Sequence, residues 1–295
     1  MISVLVLGSQ GQLGNEICNQ LKKLKIQHYF LSRKDCDITD ENNLIKIFES
    51  IKPSFVINAA AFTDVDGAEI HYQKALDVNY HAVNNLVGLS NRFDATLIHF
   101  STDYVFNSIQ KCPIKENSKK NPINKYGISK HLGEESIIEK SKKYFIFRIS
   151  WVYGLKGNNF PKTIINKLKE ENTLYVVDDQ IGTPTSTNFI SEALCKIILN
   201  SKFRKMYGVY NLTPCGQTTW HEFAIKILEK LKTIDNQSYK FKDVVPVNSN
   251  YYNFKANRPK YSVLDNTKLK KTFKINTYNW SNYFDQFIEE YFNNE

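Results

Sequence analysis

The period of the hydrophobic pattern changes repeatedly along the chain. Ile2-Ser3-Val4-Leu5-Val6-Leu7 is a short, nearly continuous apolar run and predicts a strand over Ile2–Leu7. Ile17, Leu21 and Leu24 fall on one helical face and predict a helix over Asn15–Leu24. Gln27–Leu31 predicts a second strand, and Leu44–Ile51 a helix closed by Pro53. Phe55–Ala60, Thr96–Ser101 and Tyr144–Ser150 are further apolar strands, separated by long helical stretches. Strands apolar on both faces and alternating with helices predict an α/β fold whose parallel sheet is covered on both sides. Right-handed crossovers make such a sheet doubly wound, with its ligand crevice at the carboxyl ends of the strands. After about residue 152 the alternation loosens. Thr218–Leu231 predicts a helix opened by the capping box Thr219-Trp220-His221-Glu222. Trp280, Phe284, Phe287 and Tyr291 recur at helical spacing, an aromatic stripe read as core.

Directly after the first predicted strand stands Gly8-Ser9-Gln10-Gly11-Gln12-Leu13-Gly14, followed at once by a helix. Glycines at this spacing permit a tight turn, close backbone approach to a pyrophosphate and close packing of helix on strand. The helix N-terminus then presents unpaired N–H groups to phosphate oxygens. Gly8, Gly11, Gln12, Leu13 and Gly14 are therefore read as a dinucleotide site, and residues 1–152 as a dinucleotide-binding domain of Rossmann type. Residues 153–295 then supply mainly a smaller, substrate-binding lobe, some segments of which return to the sheet. The second strand ends in Ser32-Arg33-Lys34, a hydroxyl and two cations where a lone acid would favour NAD. That set suits a 2′-phosphate, so NADPH is expected, with NADH allowed.

Tyr126-Gly127-Ile128-Ser129-Lys130 opens a predicted helix and puts a phenol and an ammonium on one face. A neighbouring ammonium lowers a phenol's pKa from its usual value of about 10, which would fit Tyr126 to protonate a carbonyl oxygen as hydride arrives. Ser101-Thr102-Asp103-Tyr104 closes an apolar strand, where the hydroxyl of Thr102 can hold the same oxygen beside the phenol.

Composition narrows the class. The 295 residues are 42% hydrophobic and 23% charged, enough apolar material for a sizeable core. The net charge of +9 favours anionic partners, but the basic residues are spread rather than blocked, so nucleic acid is not expected. Five widely spaced cysteines without a C-x-x-C pair argue against a disulfide framework or structural zinc, and for a reducing cytoplasm. No apolar run reaches spanning length, and the chain opens on a strand rather than a signal segment, so no membrane association is expected.

Taken together, these motifs resemble the dTDP-4-dehydrorhamnose reductase family of the extended short-chain dehydrogenase/reductases. The likeness runs through Asp37-Ile38-Thr39-Asp40, Asn58-Ala59-Ala60-Ala61-Phe62-Thr63, Ser101 to Phe106, Tyr126 to Lys130 and Ser150-Trp151-Val152-Tyr153-Gly154. It continues through Asp178-Asp179-Gln180-x-Gly182-x-Pro184-Thr185, Thr219 to Ala224 and Arg258-Pro259. The resemblance implies that Gly11, Gln12 and Leu13 hold a pyrophosphate and that Asp37 and Ile38 flank the adenine. Ala61, Phe62 and Thr63 would line the cofactor path, with Ser32 and Arg33 at the ribose. Thr102, Tyr126 and Lys130 would be catalytic, Lys130 also binding the nicotinamide ribose. Val65, Thr102, Asp103, Tyr104 and Trp151 would touch the sugar, and Arg258 the diphosphate. The implied reaction is reduction of the C4 ketone of a nucleotide-linked 4-keto-6-deoxyhexose, most simply the dTDP-linked dehydrorhamnose. The implied partner is that nucleotide-diphosphate sugar, with a homodimer allowed. Asp103-Tyr104 stands where a 4,6-dehydratase would carry Asp-Glu, which argues against dehydration.

The sequence also departs from the family. Asp64 and Gly67 replace residues more usual there, and the loop Asn107–Asn121 is rich in Lys and Asn and carries Cys112. These changes leave open a UDP-linked or 2-acetamido sugar, with or without 3,5-epimerase activity for which Cys112 is the candidate acid/base. Glu16 matches one carboxylate of a metal site found in some relatives, but Asn188 stands where another acid is expected, so no metal is predicted. The reading from another class is a non-catalytic regulatory subunit like the β subunit of methionine adenosyltransferase.

Overall fold

The structure, a computed structural model, describes residues 2–107 and 111–293. Residues 108–110 of the Lys/Asn-rich loop lie outside the described residues. In chain order the strands are β1 (Ser3–Leu7), β2 (Gln27–Leu31), β3 (Phe55–Asn58), β4 (Thr96–Thr102), β5 (Tyr144–Ile149) and β6 (Val152–Tyr153). They continue as β7 (Thr173–Val177), β8 (Ile181–Gly182), β9 (Thr185–Ser186), β10 (Gly208–Asn211), β11 (Thr218–Thr219) and β12 (Asp243–Val247). The α-helices are α1 (Gln12–Lys23), α2 (Glu41–Ile51), α3 (Val65–Ile70), α4 (Tyr72–Leu76), α5 (Ala82–Arg92) and α6 (Lys125–Lys140). After them come α7 (Phe160–Glu170), α8 (Thr187–Leu199), α9 (Trp220–Ile234), α10 (Asn236–Tyr239), α11 (Thr267–Phe273) and α12 (Trp280–Asn293).

Six strands form one parallel sheet in the order β2-β1-β3-β4-β5-β10. β1 is buried on both faces. Val4 and Val6 pack with Ile17 and Leu21 of α1 and Ile190 and Leu194 of α8, while Leu5 and Leu7 pack with Phe48 of α2 and Val83 and Leu86 of α5. β2 lies at the edge, and its residues are accordingly half-exposed. The strand order reverses between β1 and β3, the position where a doubly wound sheet opens a crevice. The sixth strand, β10, comes from the second half of the chain, and α8 packs on α1.

Of the predicted boundaries that move, three do so for a clear local reason. α1 starts at Gln12 rather than Asn15, because Gly14 packs its first turn directly onto the loop. A Cβ at Gly14 would lie 2.2 Å from the carbonyl oxygen of Gly8, and Gly8 itself holds φ at +78°. β3 ends at Asn58 rather than Ala60, because the Ala60 N–H is taken by the Asn58 side chain at 3.2 Å. The predicted helix from Thr218 begins at Trp220, since Thr218 and Thr219 pair antiparallel with β8. Its capping box forms as read, with both Thr219–Glu222 bonds at 3.0 Å.

A smaller lobe stands above the carboxyl ends of the sheet strands. β7 and β12 pair in parallel, and α7, α9 and α12 enclose an apolar cluster that includes Ile165, Phe223, Ile227, Phe284 and Phe287. The aromatic stripe of the last helix is core as predicted, with Trp280, Phe284 and Phe287 buried and Tyr291 packed at the margin. Among the described residues no helix is long and apolar enough to cross a membrane.

Candidate active site

The carboxyl ends of β1, β3, β4 and β5 converge on one cavity of about 560 Å³. Of the residues singled out from the sequence, Gly11, Gln12, Leu13, Ala61, Thr63, Val65, Thr102, Asp103, Tyr104, Tyr126, Lys130 and Trp151 all line it. Gly8 and Gly14 shape the turn beneath. Gly11 caps α1 without any side-chain hydrogen bond, so the first-turn N–H groups are left for an anion. Gln12 ties this loop to the rest of the site: its amide nitrogen Nε2 donates to the Val152 carbonyl at 3.1 Å, and its Oε1 accepts from Asn159 at 2.7 Å.

Tyr126 and Lys130 sit in the first turn and a half of α6. The helix is capped by Asn124, whose Oδ1 accepts from Gly127 N–H at 2.7 Å. Behind it, buried Asn79 donates to the Ser129 hydroxyl at 2.9 Å and pins the backbone of Phe62 through two bonds of 2.9 and 3.0 Å. Ser129 in turn donates to the Tyr126 carbonyl at 2.7 Å. Phe62 thus packs in the cluster behind Tyr126, outside the cavity it was expected to line. Tyr104 meets the Tyr126 ring edge-on at 5.6 Å. Nothing in the local sequence pattern singles out Asn79, because its three bonds all cross to segments distant in the chain.

The electrostatics correct one expectation. Burial pushes the Tyr126 phenol well above its ordinary value, and the hydrogen bond with Thr102 opposes this only partly. Lys130 does not acidify it here, because the Lys130 Nζ is turned to β4, donating to the Phe100 carbonyl at 2.7 Å and meeting His99 Nε2 at 3.0 Å. Burial lowers Lys130 to about 8, with Glu134 opposing. Burial also raises Asp103 to about 6 against hydrogen bonds with Ser262 and Thr102. A protonated phenol is the form a proton donor requires.

The remaining predicted positions lie farther out. Ser32 is buried and donates its hydroxyl to Asp35 at 2.6 Å, while Arg33 is exposed and pairs with Asp37 at 3.4 Å. Asp37 accepts from both the N–H and the hydroxyl of Thr39, and Ile38 is buried. Arg258 forms an ion pair with Asp66 at 2.6 Å, and Asp66 also accepts from the N–H groups of Lys255 and Ala256. Arg258 lines a second cavity of about 540 Å³, walled by Phe160, Lys167, Gln180, Tyr251, Tyr252 and Phe254. Tyr104 and Trp220 line both cavities, so the two adjoin. Trp151 stacks on Trp220 at 3.5 Å, and Trp220 donates to Gln180 at 3.2 Å. Cys112 is exposed and is not among the residues lining either cavity.

The family profile of the RmlD substrate binding domain matches residues 2–293. The chain belongs to the dTDP-4-dehydrorhamnose reductase family. It is 34% identical over 285 residues to the dTDP-4-dehydrorhamnose reductase of Burkholderia thailandensis, covering 95% of each chain. To the spore coat polysaccharide biosynthesis protein SpsK of Bacillus subtilis it is 36% identical, covering 98% of each. Among solved structures, a reductase of this family from Bacillus anthracis in complex with NADP superposes with a TM-score of 0.91 at 34% identity, over 98% of this chain and 100% of that one. The doubly wound sheet and the smaller lobe are thus the fold of the family.

Proposed function

We propose that this chain is an NADPH-dependent reductase that converts dTDP-4-dehydro-L-rhamnose to dTDP-L-rhamnose. The observation that carries the reading is that Thr102, Tyr126 and Lys130 line one cavity with Gly11, Gln12 and Leu13, and that this cavity adjoins a second one suited to a nucleotide. The names of the relatives and the NADP complex of the Bacillus anthracis protein support it. The residues present fit the cofactor: uncapped N–H groups at the start of α1 for the pyrophosphate, and Arg33 with Lys34 beyond β2 for the 2′-phosphate. When bound, NADPH supplies the hydride. Thr102 and Tyr126 hold the C4 oxygen of the sugar, and Tyr126 gives up its proton as negative charge develops there. Lys130 binds the ribose hydroxyls. Tyr104 and Trp151 border the sugar, and Arg258, held by Asp66, borders the diphosphate in the adjoining cavity. Residues 1–152 carry most of the cofactor site and 153–295 most of the substrate lobe, in a cytoplasmic enzyme.

The test is a panel of dTDP- and UDP-linked 4-keto-6-deoxyhexoses with NADPH and NADH, read as loss of reduced-nicotinamide absorbance. Turnover is expected with the dTDP-linked 4-keto-L-sugar, faster with NADPH, and is expected to fall by about 10²–10⁴-fold in Tyr126→Phe. Tight NADPH binding without turnover of any sugar in the panel overturns the reading and favours a regulatory subunit.

A further inference from the structure

Between Leu97 and Phe100, β4 is apolar save for His99. His99 is 1% exposed and lies between Asn58 of β3 and Lys130 of α6. Buried polar nitrogens need partners, and here the partners decide which ring nitrogen carries the proton. The chain of bonds begins at a group that cannot change its role. The backbone N–H of Ala60 only donates, and it donates to Asn58 Oδ1 at 3.2 Å. The Asn58 amide is therefore oriented with its NH₂ toward His99, where Nδ2 lies 3.2 Å from Nδ1. Nδ1 must accept, so a neutral ring carries its proton on Nε2. Burial keeps the ring neutral, holding His99 well below its ordinary value.

Nε2 lies 3.0 Å from Lys130 Nζ, which also donates to the Phe100 carbonyl at 2.7 Å. An N–H aimed at Nζ needs a lone pair, and an ammonium has none. An ammonium at Lys130 would require the proton of His99 to sit on Nδ1, and Asn58 then to turn its carbonyl away from Ala60 N–H. Only one arrangement satisfies these four contacts together, and in it Lys130 is an amine. The ionisable groups packed around this chain are Tyr126 and Glu134 of α6, Arg148 of β5 and Asp103 just beyond β4. Glu134 favours the ammonium, but its two oxygens are already engaged by Arg148 at 2.9 and 2.7 Å.

We propose that Asn58 and His99 are positioning residues that set the protonation state of Lys130: the Asn58 amide imposes the Nε2–H tautomer on His99, and that tautomer stabilises Lys130 as an amine in the cofactor-free protein. The consequence rests on the reading of Lys130 as the ribose ligand. Ribose hydroxyls accept from Nζ, so cofactor binding draws Lys130 off His99, and Lys130 takes up one proton from the buffer as it becomes an ammonium. Cofactor affinity and proton uptake are thereby coupled on the alkaline side of neutrality, and the charge that assists Tyr126 arises only once the cofactor is in place.

The direct test is a long-range ¹H–¹⁵N spectrum of the whole chain with ¹⁵N-labelled histidine, cofactor-free and at about pH 9, above the value near 8 to which burial lowers Lys130. The His99 ring, assigned by its loss in His99→Gln, is expected to carry its proton on Nε2. In Asn58→Asp the carboxylate can accept both from Ala60 N–H and from Nδ1–H, so the tautomer is expected to reverse. The pH at which NADPH affinity falls on the alkaline side is then expected to rise by about one unit, a tenfold change in proton affinity at Lys130. A wild-type ring protonated on Nδ1 overturns the proposal without need of any variant, as does an Asn58→Asp protein that binds NADPH with unchanged tautomer and unchanged pH dependence. None of these measurements uses a sugar. Failure to reduce 4-keto sugars therefore removes the proposed function alone, whereas the wrong tautomer removes this inference alone.

Discussion

Asp103 shows how much a single buried group can bias this site. It is 3% exposed, one of its oxygens has no hydrogen-bond partner among the described residues, and burial raises it from 3.8 to about 6. A carboxyl whose folded pKa exceeds its unfolded one binds its proton more tightly in the fold. Its stabilising contribution is complete below about pH 4 and is lost as the pH rises through 6. At pH 8 the ionised group is a cost, at most about 3 kcal/mol from a shift of roughly two units. Asp103→Asn keeps an acceptor for Thr102 and Ser262 and removes the titration. Thermal unfolding of that variant is expected a few degrees above wild type at pH 8 and level with it near pH 4; equal midpoints at both pH values would contradict the assignment. The same burial keeps Tyr126 protonated, which reverses the acidified phenol expected from the Tyr-x-x-x-Lys spacing alone. Spacing placed the two side chains on one face, as found, but could not show that Lys130 would turn to His99 and Phe100.

At the scale of elements, legibility followed locality. β1, its glycine turn and the capping box of α9 were readable because every group that makes them lies within a few residues. Asn79, His99 and the Asp66–Arg258 pair were not, since their partners are 17 to 192 residues away and polar side chains carry no periodic mark of their depth. β10 escaped for a related reason: four residues after a loosened pattern say little until the edge of β5 is seen to need a partner. Helix α6, which carries Tyr126 and Lys130, also rests on a pair that the sequence did not reveal. Arg148 and Glu134 are 1% and 0% exposed, Arg148 lies over Phe106 at 4.8 Å, and its Nη1 donates to the Glu116 carbonyl at 2.8 Å. Removing one partner strands a buried charge. Arg148→Met is therefore expected to destabilise the fold by about 3–5 kcal/mol in urea unfolding, with partial recovery in the double variant Arg148→Met/Glu134→Leu. A loss below about 1 kcal/mol would show that α6 is held by packing alone.

The molecule as a whole joins a sheet that shapes a cofactor turn to a lobe that shapes an annex, and the joint is narrow. Asp66 at the start of α3 receives Arg258, Lys255 and Ala256 from the segment that borders the second cavity. The Arg258 hydrogen bond, with burial opposing, holds the Asp66 carboxyl below its usual range, so this contact is ionic at neutral pH. Asp66→Asn weakens two or three of these bonds at once. KM for the sugar nucleotide is expected to rise about tenfold, in line with 1.5–3 kcal/mol for a charged hydrogen bond partly retained, while the Kd for NADPH is unchanged. A change in NADPH affinity of the same size would mean that the two cavities are not separately built.

The claim beneath all of this is that one cavity brings a nicotinamide, the Tyr126 phenol and the C4 oxygen of a sugar within reach of each other. NMR of the product formed from dTDP-4-dehydro-L-rhamnose with NADPH deuterated at the transferable nicotinamide position tests it most directly. The account predicts one deuterium, at C4 of the sugar. Product without that label, or label from deuterated water alone at C3 or C5, would contradict it.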